Sequence, residues 1–179
     1  QALDRTQPVL PIGLGYVEGI THQYQRHGTL TLFAALDLAT GEVIAQCKKR
    51  HRHQEFLQFL NHVKANVPKK LEIHLVVDNY ATHKHAKIRN WLAARPRYHI
   101  HYTPTYSSWL NQVETWFNII TQKAIRRGSF RSTKQLREKI DEFVKNYNKK
   151  TRPFIWTATA DSILAKVKRV LETISGTQH

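Results

Sequence analysis

The chain has no methionine and a single cysteine, and it lacks long apolar runs. With Cys47 alone no intrachain disulfide can form, and this usage fits a reducing compartment. Without methionine, Gln1 is not expected to be the natural start of translation. No run approaches the roughly 18–20 apolar residues of a membrane helix, and no signal-peptide core opens the chain. We therefore expect no membrane partner and a cytoplasmic location.

Acidic residues are scarce relative to basic ones. The 179 residues include 13 Asp and Glu against 28 Lys and Arg, which gives a formal charge of +15 and an isoelectric point near 10.2. Such an excess indicates a polyanionic partner, bound in a salt-sensitive way, and nucleic acid fits best. Basic runs are also found on solvated faces, but we expect some of these side chains to contact the DNA backbone: Lys48, Lys49, Arg50, Arg52, Lys84, Arg126 and Arg127.

The apolar periodicity predicts a mixed α/β sheet. A hairpin is expected over residues 29–36 and 43–47, then a helix over 54–67, a strand over 71–77, a helix over 84–94 and a strand over 98–102. The strand before Asp78 is apolar on both faces near its end, which favours a sheet covered on both sides.

Three further helices are expected in the second half of the chain. They are predicted over residues 109–124, 133–147 and 160–171, with Ser107 and Ser108 as candidate N-caps of the first. We expect a core domain over residues 1–150 and a C-terminal helical extension over residues 151–179.

Two acids are the best candidates for chemistry. Asp78 ends the apolar strand, where open α/β sheets place ligands, and Glu114 is predicted to border the buried stripe of a helix, one turn after Asn111. Mg²⁺ prefers oxygen ligands, and two such ions can activate an attacking oxygen and stabilise the leaving one. A complete site needs a third carboxylate. The alternative is an Asx-type turn at Asp78 and an exposed Glu114.

The residues around these acids resemble a known family. The segments 78–84 (DNYATHK) and 103–114 (TPTYSSWLNQVE) are similar to the second and third acidic motifs of DDE transposases, in the mariner-related bacterial insertion-sequence branch. Residues 32–37, 50–53 and 126–130 resemble the same branch. By this resemblance Asp78 and Glu114 are catalytic and bind metal, and Asn79, His83 and Asn111 support the site.

The resemblance also implies a fold, a cofactor and partners. It implies a ribonuclease H-like mixed sheet flanked by helices, two Mg²⁺ or Mn²⁺ ions, and strand cleavage and transfer at transposon ends. The expected partners are transposon-end and target DNA and further copies of the chain in a synaptic complex on the bacterial nucleoid. His83 is expected to contact a phosphate or orient water, or else to cap the following helix. Tyr106 and Trp109 are candidates for stacking on a frayed base, with core packing as the alternative for Trp109.

The sequence departs from the family pattern at its beginning. The family's first catalytic Asp lies on a core strand that precedes the hairpin, and this chain begins after that position. Asp4 matches a non-catalytic position, and Asp37 is better explained by a turn. We therefore expect a fragment without the first core strand and without the N-terminal DNA-reading region, inactive alone. The alternative is a non-catalytic DNA-binding or interaction module that keeps the fold.

Overall fold

The structure, a computed structural model, describes residues 1–4, 24–104, 111–153 and 159–176. The strands form three pairs: β1 and β2 pair antiparallel, β3 and β4 form an antiparallel hairpin, and β5 and β6 pair parallel. The strands are β1 (Leu3–Asp4), β2 (Gln25–Arg26), β3 (Thr31–Leu36), β4 (Val43–Lys48), β5 (Ile73–Val77) and β6 (Tyr98–Tyr102).

Helices follow or separate these strands much as the periodicity predicts. They are α1 (His53–Asn66), α2 (Ala86–Ala93), α3 (Val113–Ile120), α4 (Thr133–Asn148) and α5 (Ala160–Gly176). A single 3₁₀ turn, Ala81–Lys84, precedes α2, and a π-helical turn, Thr121–Ile125, continues α3. The predicted mixed α/β class is confirmed. Among the described residues, no helix is both long and apolar enough to span a bilayer.

The hairpin is closed by a turn that Asp37 and Gly41 build. Asp37 Oδ1 accepts the Ala39 N–H at 2.8 Å, and the Gly41 N–H donates to the Asp37 carbonyl at 2.7 Å. Gly41 is buried with φ of +77°, and a Cβ there would collide with the backbone carbonyl of Arg152. The turn role predicted for Asp37 agrees with these contacts.

The end of α4 covers the outer edge of β4. Asn148 Oδ1 accepts the Val43 N–H at 2.9 Å, and Asn148 Nδ2 donates to the Val43 carbonyl at 2.9 Å. Because both backbone groups of Val43 point outward, Leu36 and Val43 are a non-hydrogen-bonded pair of the hairpin. By the same alternation, the backbone groups of Leu32, Ala34 and Leu36 point toward the edge of β3 that faces away from β4.

The parallel pair also has an edge that pairs with no strand among the described residues. The Ile73 N–H donates to the Arg97 carbonyl at 2.8 Å, and the Val77 carbonyl accepts the Thr103 N–H at 2.9 Å, so these residues bond toward β6. The backbone groups of His74 therefore face the other way. No strand joins β3 to β5 within the described ranges, and the expectation that this chain lacks the first core strand stays a prediction.

A layer formed by α1 and α2 covers both the β3–β4 hairpin and the β5–β6 pair. Phe33 of the hairpin and Tyr98 of the parallel pair belong to one buried cluster with side chains of α1 and α2. Its most enclosed members are Ile88, 0% exposed, and Leu60, 2% exposed. The opposite face of β5 is open in the described residues, because Val76 is 51% exposed. The prediction of a sheet covered on both sides is therefore wrong for this strand: only the odd-numbered residues meet a helix layer.

A second cluster lies on the other face of the hairpin. Val43 and Cys47 of β4 pack there with Trp116 of α3 and Leu136 of α4. Trp116 is 1% exposed, and truncating a buried Trp costs about 3–5 kcal/mol. This cluster fixes the start of α3, and with it the position of Glu114.

The N-terminal segment is tied to the loop before α4. Ala2 is fully buried, and the Phe130 N–H donates to the Leu3 carbonyl at 2.8 Å. Asp4 Oδ1 accepts the Ser129 hydroxyl at 2.8 Å, and Asp4 Oδ2 lies 3.5 Å from Arg131 Nε. Asp4 thus holds the chain in place, which suits its match to a non-catalytic position.

The candidate metal and DNA site

Asp78 lies directly after β5, at the carboxyl end of the parallel pair. The hydrogen bond from the Thr103 N–H to the Val77 carbonyl holds the two strand ends together just before it. The Asp78 side chain is partly exposed, but its Oδ1 is buried, and the His83 Nδ1 that approaches it at 2.9 Å does not make a well-directed hydrogen bond to it. A buried carboxylate oxygen without a donor is costly unless something else satisfies it, and a cation does so.

His83 packs against this carboxylate from the 3₁₀ turn. The imidazole is 7% exposed, and its Nδ1 lies 2.9 Å from Asp78 Oδ1 and 3.2 Å from the Asp78 carbonyl oxygen. The direction of the ring N–H favours the carbonyl, so a proton on Nδ1 is donated to that oxygen rather than to the closer Oδ1. Burial lowers the pKa of His83 below 6.5, and the hydrogen bond to Asp78 opposes this shift only in part. His83 is therefore neutral at pH 7, and its contact with Oδ1 is not a full ion pair.

Packing fixes the position of the His83 ring. Its centroid lies 4.2 Å from that of buried Phe56, and the Tyr102 hydroxyl donates to the His83 carbonyl at 3.1 Å. The helix-cap alternative predicted for His83 is wrong. The N-cap of α2 is His85, whose Nδ1 accepts the Lys87 N–H at 3.2 Å. His83 and His85 stand two residues apart in the sequence, and only burial separates their roles: His83 is buried and His85 is partly exposed.

Glu114 lies in the first turn of α3, where its side chain is exposed. The prediction that it borders the buried stripe is wrong. The core takes Trp116 and Ile120 from α3, and Glu114 falls outside that face. The helix start predicted at Trp109 is also wrong, because Asn111 and Gln112 precede the first helical residue.

Asn111 and Glu114 do not share a helical face, contrary to the prediction. The Glu114 N–H donates to the Asn111 carbonyl at 3.0 Å, so a turn rather than a helical face connects them. The α-helical part ends at Ile120, and the π turn continues the helix to Ile125, close to the predicted end at residue 124. Such turns are rare in helices and frequent at functional sites. Ser107, Ser108, Tyr106 and Trp109 lie outside the described residues.

The structure brings Asp78 and His83 together but shows no contact between Asp78 and Glu114. Within the described ranges, no three His, Cys, Asp or Glu side chains are grouped closely enough to hold a metal ion. Asp78 Oδ1 therefore fits a divalent cation as one ligand, while the described residues do not assemble a complete site. Asn79 is exposed beside Asp78.

The predicted DNA-contacting side chains are spread over three regions. Lys49 and Arg50 are exposed after β4, and Lys48 Nζ donates to Gln58 Oε1 at 2.9 Å. Arg52 pairs with Glu55 at 2.6 Å, and this contact lowers the pKa of Glu55 to about 2. The other exposed members follow the site or the π turn: Lys84, Arg126 and Arg127.

Aromatic and imidazole rings gather beside Asp78, a feature that the sequence analysis missed. The rings of His51 and Tyr80 stack with centroids 5.3 Å apart, and His53 stacks on His85 at 3.6 Å. His51 and His53 meet rings from residues 80 and 85, which lie in another part of the chain, so no local sequence pattern could have indicated this cluster.

Comparison with known proteins identifies the family of this chain. The chain belongs to the DDE superfamily endonuclease family, whose model matches residues 12–137 and thus includes Asp78 and Glu114. The resemblance predicted from the sequence is confirmed, and this membership together with the element order supports the ribonuclease H-like class. A curated relative, the insertion element IS630 uncharacterized 39 kDa protein of Shigella sonnei, is 31% identical over 113 residues.

That match covers 63% of this chain and 33% of the relative, so the chain spans about a third of the relative's length. A solved structure is also similar, the simian T-cell lymphotropic virus intasome in complex with PP2A regulatory subunit B56 gamma. It is 17% identical, with a TM-score of 0.49, over 68% of this chain and 45% of that chain.

Proposed function

We propose that this chain is part of the catalytic domain of a DNA transposase, which cleaves DNA and transfers strands at the ends of a mobile element with divalent metal ions. One observation carries the proposal: the partly exposed Asp78 carboxylate lies at the carboxyl end of β5, and its buried Oδ1, 2.9 Å from His83 Nδ1, receives no well-directed hydrogen bond from the described residues. Membership of the DDE superfamily endonuclease family and the similarity to an insertion-element protein support it.

In this proposal Asp78 and Glu114 are the carboxylates that hold Mg²⁺ or Mn²⁺. When bound, such ions polarise the scissile phosphate and lower the pKa of the attacking water or hydroxyl. His83 keeps the Asp78 carboxylate in one orientation through its buried ring. Asn79 and Asn111 supply amide groups beside the two acids.

The proposed partners of the chain are DNA and further copies of itself. The charge of +15 favours binding of transposon-end and target DNA through the basic side chains around the site. We place the protein in the bacterial cytoplasm, on the nucleoid, as a homo-oligomer in a synaptic complex. Two carboxylates are few for two ions, so this chain alone is expected to bind metal and DNA without turning over.

The test is the effect of Mn²⁺ on DNA affinity, measured by fluorescence anisotropy with a labelled duplex. Affinity should fall linearly on a log–log plot against salt concentration, as expected when phosphate contacts dominate. At one fixed Mn²⁺ concentration the natural chain should bind more tightly than Asp78→Asn and Glu114→Gln, because bound metal links the carboxylates to phosphate. Glu138→Gln is the matched control, since it removes the same charge from an exposed site on α4.

Two results would contradict different parts of the proposal, the metal-binding role of the two acids and the inactivity of the chain alone. Salt-sensitive binding with the same response to Mn²⁺ in all four proteins would instead support the non-catalytic DNA-binding module. Plasmid nicking by the natural chain that Asp78→Asn abolishes would overturn the expectation that the chain is inactive alone.

A further inference from the structure

Two exposed rings extend the candidate site on the side of β4. Tyr80 is 49% exposed although it lies only two residues after Asp78. Its ring stacks on His51 with centroids 5.3 Å apart and planes 19° from parallel. His51 is itself exposed. Two aromatic rings stacked at the surface leave apolar π faces in water, which a flat partner would cover.

The pair rests on a rigid support. The His51 ring meets the edge of buried Phe33 at 4.9 Å, and Phe33 stacks in turn on Phe59 at 5.6 Å within the core under α1. On its other side, Tyr80 meets buried His83 at 6.0 Å in an edge-to-face contact. The rings are therefore held in place before any ligand arrives, which reduces the entropy lost on binding.

Charge beside the pair favours a nucleic-acid ligand. His51 lies within the basic run of residues 48–52, where Lys49 and Arg50 are exposed. A strand whose phosphates follow this run would bring its bases to the Tyr80 ring. Bases inside a duplex are stacked on each other, so only an unpaired base can extend the Tyr80–His51 stack.

We infer that Tyr80 and His51 form a stacking platform for an unpaired nucleobase of DNA, placed so that the adjoining phosphate lies at Asp78. The inference rests on the proposed function, since it supplies a positioning site for the same DNA. The platform selects frayed or single-stranded ends by shape and π surface, and it does not read base identity.

The experiment uses a duplex with a single-stranded tail that carries 2-aminopurine at its first unpaired position. Saturating amounts of the natural chain should quench the fluorescence, because stacking on an aromatic ring quenches this base. Tyr80→Leu should abolish the quenching and weaken binding of the tailed DNA about fivefold or more. Tyr80→Phe should retain both, because it keeps the ring. Tyr24→Leu, which removes an equally exposed tyrosine (53%), should behave as the natural chain does.

Four outcomes would overturn the inference. Quenching that survives Tyr80→Leu would contradict a stacking role, and so would quenching that Tyr80→Phe also removes. Either result would leave the proposed function standing if fully paired duplex still binds and responds to Mn²⁺. Quenching that Tyr24→Leu removes as well would place the base elsewhere. Failure to bind any DNA would instead remove the proposed function and the platform together. The urea midpoint of Tyr80→Leu should equal that of the natural chain, which separates lost stacking from lost folding.

Discussion

His83 Nδ1 lies 2.9 Å from Asp78 Oδ1, and the two residues differ sharply in their surroundings. The imidazole is buried against Phe56, whereas the carboxylate reaches the surface with one oxygen enclosed. The buried ring therefore orients the carboxylate without neutralising its charge. This leaves Asp78 able to bind a cation.

The titration of His83 should appear in the pH dependence of stability. Burial holds the pKa of folded His83 below 6.5, so the unfolded chain binds this proton more readily. The contribution of His83 to stability should be fully present above about pH 6.5 and should be lost as the pH falls from there toward the lower pKa of the folded state. In His83→Gln this part of the decline should be absent. Urea unfolding between pH 8 and pH 5 measures it.

His62→Gln is the control for that series, since it removes a partly exposed histidine from α1. It should follow the slope of the natural chain. A His83→Gln protein with the slope of the natural chain would contradict the view that His83 is buried in its neutral form.

Asn148 should contribute more to stability than its neighbours on α4. Asn148→Ala leaves the Val43 N–H and carbonyl without their partners, which we expect to cost about 1–3 kcal/mol of unfolding free energy. Asn146→Ala, on an exposed position of the same helix, should cost less than about 0.5 kcal/mol. Equal losses in urea denaturation would show that the contact to β4 contributes nothing.

Gly41 should tolerate alanine less well than Gly28. Both glycines have positive φ, which costs an L-residue about 1–2 kcal/mol. At Gly41 the added Cβ also meets the Arg152 backbone, whereas at Gly28 it meets only the Thr133 side chain, at 3.0 Å. Gly41→Ala should therefore lower the melting temperature further than Gly28→Ala. The reverse order would contradict the close packing of the hairpin turn on residues 148–152.

The sequence predicted the strands and helices well, because their apolar residues recur with clear periods. β6 has the predicted bounds of residues 98–102, and α4 extends the predicted range by a single residue. The predicted start of α3 at Trp109 was wrong, because Trp109 continues the apolar pattern of Trp116. Periodicity alone does not show at which residue the helical backbone begins. The exposure of Val76 could not be predicted either, since an apolar residue says nothing about what covers it.

The candidate site was predicted in part. Asp78 was identified by its place at a strand end, and His83 by its motif. The exposure of Glu114 depends on which face of α3 packs, and that is decided by the fit of Trp116 against the hairpin and α4. The stacked rings of His51 and Tyr80 come from different elements, so no local pattern joins them.

Asp78 and Glu114 are proposed to bind metal at one shared site. Iron-directed cleavage tests this directly: Fe²⁺ takes the place of Mg²⁺, and ascorbate with hydrogen peroxide then cuts the backbone next to the bound ion. We expect two cuts, one beside Asp78 and one beside Glu114, both suppressed by excess Mg²⁺ and both absent in Asp78→Asn. A cut beside only one of these residues, or a Glu114 cut that persists in Asp78→Asn, would contradict a shared site.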